Sequence, residues 1–176
     1  MSARRVSLFF LLLVAGGHLA AQSGRSRPAL AVLNLRFDGE HANVLEPGDT
    51  AVAMAATSRL LATLEASERV AVLDSARVAG AVAAATQGNP CDNSCALAIG
   101  RQLGAQWVAK GTVTKTSNLV WVLSAQLIEV TTGKLVLSDG YELKGDATRM
   151  APAGAHVFAQ RVEKAIVVAR TASTAP

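Results

Sequence analysis

The chain has 176 residues, of which 17 are Lys or Arg and 13 are Asp or Glu, and its formal net charge is +4 at pH 7. The basic residues are scattered rather than interleaved with aromatic residues, so the composition excludes a typical nucleic-acid-binding surface. Hydrophobic residues make up 51% of the chain and aromatic residues only 4%, which favours small side chains packed closely between helices and a sheet.

The first 21 residues have the pattern of a secretory signal peptide. Arg4 and Arg5 precede an apolar run from Val6 to Ala15, and small residues follow. The run is shorter than the roughly 20 apolar residues of a transmembrane helix, so we expect cleavage after Ala21 rather than retention as an anchor. The mature protein would begin near Gln22, without an integral membrane segment, in the periplasm or outside the cell. Loss of the two arginines would lower the formal net charge from +4 to +2.

Strand and helix patterns alternate in the first half of the mature chain. The predicted elements are an interior strand over PALAVLNLRF (28–37), a helix capped by Asp49 or Thr50 and reaching Ser67, a short strand (69–74), a helix from Ser75 to Gly88, and a helix from Ser94 to Gly104. The first loop carries Asp38, Glu40 and Glu46, which we interpret as solvated charges because a glycine-turned set of calcium ligands is absent.

From residue 106 the apolar period becomes that of strands. Three strands (106–115, 118–130 and 134–143) are joined by short turns in which Asn118 and Gly133 suit positive φ, and a helix (151–170) follows. The last strand is the most polar, with Ser138, Asp139 and Gly140 in its middle, which predicts a sheet edge that a partner strand could join. Alternatively, Asp139 with Gly140 would blunt this edge or mark a bulge. The order predicts an α/β (α+β) fold with a mixed sheet, a C-terminal three-strand antiparallel meander and helices packed on it. We expect one domain over 28–169 and a flexible tail over 170–176.

Both cysteines, Cys91 and Cys95, lie in NPCDNSC, just before the third helix. Their C-x-x-x-C spacing is neither the usual zinc spacing nor that of thioredoxin-like sites. The predicted export favours a local structural disulfide. A zinc site would need ligands beyond His41 and His156, which are isolated in sequence. A thiol-disulfide activity, or another small enzyme that uses this pair, remains the alternative.

The segment LGAQWVAKGTVTKTSNLVWVLSAQLIEVTTGKLVLSDGYEL resembles the domain shared by the TolB N-terminal region, the curli secretion protein CsgG, flagellar FlgT-like proteins and the penicillin-binding-protein activator LpoB. More narrowly, PCDNSCALAIGRQLGAQWVAKGTVTKTSNL resembles a family of uncharacterised exported bacterial proteins that have a cysteine pair, an L-G-A helix end and a G-x-V-x-K-x-S-N-L run. Here these features are Cys91, Cys95, Leu103, Gly104, Ala105, Gly111, Val113, Lys115, Ser117, Asn118 and Leu119. The resemblance covers roughly residues 28 to 165. It implies the fold and, because the wider set consists mostly of envelope adaptors, a role in binding a protein partner.

Most matched residues have a structural explanation. Gly104 would end a helix, Gly111 would let a helix or a neighbouring backbone approach the sheet, and Ser117 with Asn118 would make a turn. Lys115 is predicted to be a solvated lysine at a strand end, and Trp121 to be buried unless it lies on a binding face. The candidate partner-binding residues are Lys115, Ser117, Asn118, Trp121, Leu137 and Ser138. No catalytic motif or cofactor signature occurs in the mature chain, so we predict a non-enzymatic envelope accessory protein without cofactor or metal.

Overall fold

The computed structural model describes residues 26–172. Its elements are β1 (Ala29–Val32), β2 (Arg36–Asp38), α1 (Asp49–Glu65), β3 (Ala71–Val72), α2 (Ser75–Thr86), α3 (Asn93–Leu103), β4 (Trp107–Lys115), β5 (Trp121–Glu129), β6 (Leu135–Leu143) and α4 (Ala147–Ala172). The predicted signal peptide and the end of the predicted tail, residues 173–176, lie outside the described residues.

The described strands form one mixed sheet in the order β3-β1-β4-β5-β6, and β2 also pairs with β4. Strands β1 and β2 run parallel to β4, and β3 runs parallel to β1. Strands β4, β5 and β6 form an antiparallel meander in which Trp107 faces Glu129 and Trp121 faces Leu143. These pairings confirm the predicted mixed α+β fold and place β6 at a sheet edge, because β5 is its only described strand neighbour.

The first predicted strand (28–37) is divided into β1 and β2. The Leu33 N–H still joins the ladder by donating to the Ala109 carbonyl at 2.8 Å, but the Leu35 N–H donates to Thr57 Oγ1 of α1 at 2.9 Å. The apolar run is nearly continuous because both faces of β1 are covered: Leu30 and Ala31 lie in different core clusters.

Two clusters of buried side chains lie on opposite faces of the sheet. Helices α1 and α4 cover the first face, where Leu60 and Phe158 are completely buried. Helices α2 and α3 cover part of the second face, where Val78 and Ala96 pack near Val108. Gly111 permits a close approach within the sheet, since a Cβ there would lie 2.5 Å from the Ser124 carbonyl oxygen, as the sequence predicted.

Several element ends differ from the prediction. Gly48, with φ of 101°, occupies the N-cap of α1, so Asp49 lies in the first turn and is not the cap. Helix α4 begins at Ala147 and continues through Ala172, beyond the predicted start of the tail at 170. Gly133 has the predicted positive φ, at 72°, whereas the φ of Asn118 is not positive. Among the described non-glycine residues, only Gln87 has a positive φ, at 48°.

The described chain starts and finishes at the same end of the sheet. The Gln106 N–H, just before β4, donates to the Ala29 carbonyl at 2.9 Å, and the last turns of α4 share a groove with Trp107. The opposite end carries the loop 39–48, the β4–β5 turn 116–120 and the start of α4. We call the loop 39–48 together with the turn 116–120 the tip.

Candidate partner-binding site

A buried ion pair lies directly beneath the tip. Lys115 is the last residue of β4, and its side chain, 1% exposed, points to the same face as Val113. Its Nζ lies 2.8 Å from Asp49 Oδ2 and 5.2 Å from the centre of the Trp121 ring. The prediction of a solvated lysine was therefore wrong, because a carboxylate from α1 and an aromatic face replace water around the ammonium.

The Asp49 carboxylate is held in its charged form. Burial raises the pKa of Asp49, but the Glu46 N–H, which donates to Oδ2 at 2.8 Å, and the Lys115 ammonium outweigh that effect. The pKa of Asp49 is therefore lower than that of an ordinary aspartate. In the described part of the chain, no fully buried side-chain nitrogen or oxygen lacks a hydrogen-bond partner.

Hydrogen bonds join the two segments of the tip. Asn118 Nδ2 donates to Glu46 Oε1 at 3.2 Å, which connects the β4–β5 turn to the loop before α1. Ser117 Oγ accepts the N–H groups of Leu119 and Val120 at 3.2 and 3.1 Å and shapes the turn. The K-x-S-N-L part of the sequence motif thus builds one end of the molecule, together with Glu46 and Asp49 from the loop.

The tip exposes apolar side chains. Leu119 is 82% exposed, Leu45 is 60% exposed, and Val44 and Val120 are also exposed. Val44 and Leu45 precede Glu46 and the other two follow Asn118, so the Asn118–Glu46 hydrogen bond brings both pairs to one end of the sheet. Exposed aliphatic side chains brought to one end of a domain make that end a candidate protein-binding surface.

The predicted partner-binding residues fall into three places. Ser117 and Asn118 belong to the tip, and Leu137 and Ser138 lie on the edge strand β6. Lys115 and Trp121 are buried, and Trp121, 4% exposed, packs 5.9 Å from the Phe37 ring between centroids. Neither side chain can contact a partner directly, so both are corrected from contact residues to residues that support the tip.

Sequence reasoning missed Asp49, Glu46 and Leu45. Asp49 was interpreted as a helix cap, although Gly48 at the preceding position supplies the cap conformation. The available signal was a lysine that follows the inward-facing Val113 by two residues and therefore points into the core. Such a lysine needs an acidic partner from elsewhere in the chain.

The cysteine segment is part of the start of α3. Cys91 and Cys95 form a disulfide with an S–S distance of 2.02 Å. Asp92 caps α3 by accepting the Cys95 N–H at 2.8 Å, and this hydrogen bond is the main reason why the pKa of Asp92 is lowered. Lys110 Nζ donates to the Cys91 carbonyl at 2.7 Å and to Asn93 Oδ1 at 3.2 Å, which ties the loop to β4.

A cleft of about 440 Å³ lies beside this disulfide, with Arg36, Lys110 and Asp92 at its walls. Burial lowers the pKa of Lys110, Asp92 partly counters this, and nearby Arg36 lowers it further. Between residues 26 and 172 no three His, Cys, Asp or Glu side chains are grouped so that they could hold a metal ion. No helix in that range is both long and apolar enough to cross a membrane.

A family model described as "Protein of unknown function (DUF2380)" matches residues 28–161. The LpoB C-terminal domain from Escherichia coli is similar in structure, with 21% identity and a TM-score of 0.51 over 72% of this chain and 90% of that chain. The same domain from Salmonella enterica has 20% identity and a TM-score of 0.50 over 67% and 83%. TolB from Acinetobacter baumannii has 14% identity and a TM-score of 0.48 over 80% of this chain and 28% of the TolB chain. No curated protein matches this sequence.

Proposed function

The chain belongs to the family described as a protein of unknown function (DUF2380), and from that premise we propose that it is an exported, non-enzymatic accessory module of the cell envelope. In this proposal residues 28–169 act as one domain, and the tip binds a protein partner. The observation that carries the proposal is the 82% exposure of Leu119 on a turn that is fixed by hydrogen bonds and by the buried pair beneath it.

The construction of the tip supports a binding role. Burying a lysine and an aspartate costs desolvation energy, which their attraction and added hydrogen bonds must offset, so such a pair is a weak device for stability alone. Here the pair fixes Asp49, which orders Glu46, and Glu46 in turn accepts from Asn118 beside the exposed Leu119. Preorganising apolar side chains reduces the entropy that a partner must overcome on binding.

The non-enzymatic assignment rests on the chemistry of the available groups. The tip contains the titratable residues Glu40, His41 and Glu46 and the hydroxyl groups of Thr116 and Ser117. Among the described residues no hydrogen bond joins His41 or either carboxylate to one of these hydroxyls, so no base is positioned to activate them. The alternative, a thiol-disulfide enzyme, would use Cys91 and Cys95. We favour a structural disulfide, because Asp92 and Lys110 hold its loop to α3 and β4 through hydrogen bonds.

Localisation in the periplasm or outside the cell rests on two features. The N-terminal 21 residues have the signal-peptide pattern, and the Cys91–Cys95 disulfide is of the kind that persists in oxidising compartments. The fold that is shared with the LpoB C-terminal domain is compatible with this location.

Site-specific photo-crosslinking in the native envelope tests the proposal. A photoreactive residue at Leu119 should give a discrete crosslinked protein, identifiable by mass spectrometry. The matched control places the same photoreactive residue at the position of Ala84, which is exposed on α2 and lies away from the tip. A discrete product at Leu119 and none at Ala84 supports the proposal. Equal products at both positions, or none at Leu119, would contradict it.

A further inference from the structure

A groove runs between the edge strand β6 and the second half of α4, at the end of the sheet opposite the tip. We call it the β6–α4 groove; its volume is about 630 Å³. Trp107 forms part of its wall, and further apolar contacts come from Val136, Leu137, Ala165 and Val168. Val168 is 58% exposed, so the groove presents apolar surface that no described residue covers.

The groove carries an excess of positive charge. Lys134 and Lys164 are exposed, and no acidic group of the described chain lies within ion-pair distance of either ammonium. Arg161 is paired with Asp139 at 2.8 Å, and Glu129 accepts a hydrogen bond from Thr132 Oγ1 at 2.6 Å. Because Asp139 offsets Arg161, the charges that remain are the two lysines against Glu129, 2 minus 1, which leaves the groove with a net charge of +1.

The strand beside the groove has one unpaired edge. Alternate N–H and C=O groups of β6 point away from β5, and no described strand accepts or donates to them. Two devices that protect such an edge are present, but they leave most of it open. Asp139 turns its carboxylate, 5% exposed, inward to Tyr141 and Arg161, and the register irregularity falls at Val136 rather than at Gly140, so Leu137 to Leu143 keep a regular ladder with β5 and an open outer edge.

We propose that the β6–α4 groove binds an extended acidic polypeptide segment, which pairs with β6 as an additional strand. The open backbone edge selects an extended ligand, because only a strand satisfies its row of donors and acceptors. The apolar wall selects a segment with alternate apolar residues, since one face of the added strand lies against α4. Lys134 and Lys164 favour a segment that carries acidic residues, because their ammonium groups line the groove. This surface is separate from the tip and does not depend on the tip's function.

The test uses two labelled synthetic peptides, one alternating Glu and Val and the other alternating Lys and Val, with the whole protein. Fluorescence anisotropy at about 0.15 M salt should show binding of the acidic peptide at least about ten-fold tighter than that of the lysine peptide. The amide hydrogens of residues 135–143 should exchange more slowly when the acidic peptide is bound.

Charge-reversal variants locate the site. Lys134→Glu with Lys164→Glu should weaken binding of the acidic peptide by at least about ten-fold. Arg77→Glu, on α2 across the sheet, is the matched control for a single reversal and should leave binding unchanged, as should Leu119→Ser at the tip. Equal binding of both peptides, no binding at about 1 mM, or unchanged binding by the double variant would overturn the proposal. Binding to anionic lipid vesicles in place of the acidic peptide would overturn it as well.

A proline pair tests the backbone pairing independently of charge. Leu137 and Ser138 are consecutive, so the N–H of one points toward β5 and the N–H of the other points to the open edge of the sheet. At the position whose N–H pairs with β5, a proline substitution should unfold the protein. At the other position it should preserve the melting temperature within a few degrees and abolish peptide binding. Binding that survives proline at the tolerated position would contradict strand addition.

Discussion

The Lys115 ammonium lies 2.8 Å from the Asp49 carboxylate in a pair that joins the end of β4 to the first turn of α1. Its members are 66 residues apart in sequence and nearly inaccessible to solvent. The pair supports the loop that carries Leu45 and, through Glu46 and Asn118, the turn that carries Leu119. Both segments of the tip therefore depend on this contact.

Breaking the pair on one side should destabilise the protein strongly. Lys115→Met leaves Asp49 without its cation, and we expect a loss of about 3 kcal/mol in the free energy of unfolding. For a domain of this size the melting temperature should fall by roughly 6 to 12 °C, in one cooperative transition if residues 28–169 form one domain. Calorimetry measures both quantities.

The double variant Lys115→Met with Asp49→Asn provides the control for this measurement. It removes both charges, so its loss should be clearly smaller than the sum of the two single losses. Strictly additive losses would show that the two residues are not coupled.

The same pair predicts a specific pH dependence. The pKa of Asp49 is lowered in the folded protein, so its contribution to stability is complete above the ordinary aspartate pKa of about 3.9 and is lost as the pH falls below it. The difference in unfolding free energy between wild type and Asp49→Asn should shrink as the pH falls from about 5 to 3. A difference that is constant over this range would show that the pKa of Asp49 is not lowered by folding.

Removal of the disulfide should destabilise the protein moderately. Closing so short a loop contributes about 2 kcal/mol in the chain-entropy model. Cys91→Ser with Cys95→Ser should therefore lower the melting temperature by roughly 4 to 8 °C. A structural disulfide should also have a reduction potential below about −300 mV in the folded protein. A higher potential, with rapid exchange against glutathione, would favour the thiol-disulfide enzyme.

Tyr141 offers a spectroscopic test of the β6 side of the sheet, since it is the only tyrosine in the sequence. Burial and the hydrogen bond from its hydroxyl to Asp139 raise the pKa of Tyr141 to about 12. Ultraviolet titration should show this value in the wild type and a lower one in Asp139→Asn. Because the raised pKa favours the neutral phenol, the contribution of Tyr141 to the free energy of unfolding is complete below about pH 10 and is lost as the pH rises above it. A free-tyrosine titration curve would contradict the part-buried hydrogen bond between Tyr141 and Asp139.

The mature N-terminus is a further prediction. If the signal peptide is cleaved after Ala21, the exported protein should begin at Gln22, and it should be recovered without membranes. Intact-mass analysis of protein from the native host measures both the cleavage site and any covalent addition. Protein that still begins at Met1 and is recovered only with membranes would show that the segment is retained as an anchor.

Local sequence pattern was sufficient for much of the fold. The apolar periods of 106–143 predicted β4, β5 and β6 within a few residues of their observed ends, and Gly104 ends α3 as expected. The polar centre of the last strand correctly predicted a sheet edge. These features depend on neighbouring residues, whose spacing the sequence displays directly.

The site depended on contacts between distant segments. Lys115 looks like a surface residue until α1 brings Asp49 to it, and Trp121 could be assigned to either face until the register with Leu143 was known. The division of the first strand at Leu35 likewise results from a hydrogen bond to Thr57 in α1. Such pairings are decided by tertiary packing, which leaves no local period in the sequence.

The most direct test of the central claim compares partner recovery from the native envelope by wild type and by two apolar-to-polar variants. The tip variant is Leu45→Ser with Leu119→Ser; the control is Met54→Ser, which removes an apolar side chain, 62% exposed, from the surface of α1. Quantitative mass spectrometry of the co-purified proteins should show that the partner identified by crosslinking from position 119 is reduced at least about ten-fold with the tip variant and is unchanged with the control. Equal recovery by wild type and the tip variant, with both folded, would contradict the account.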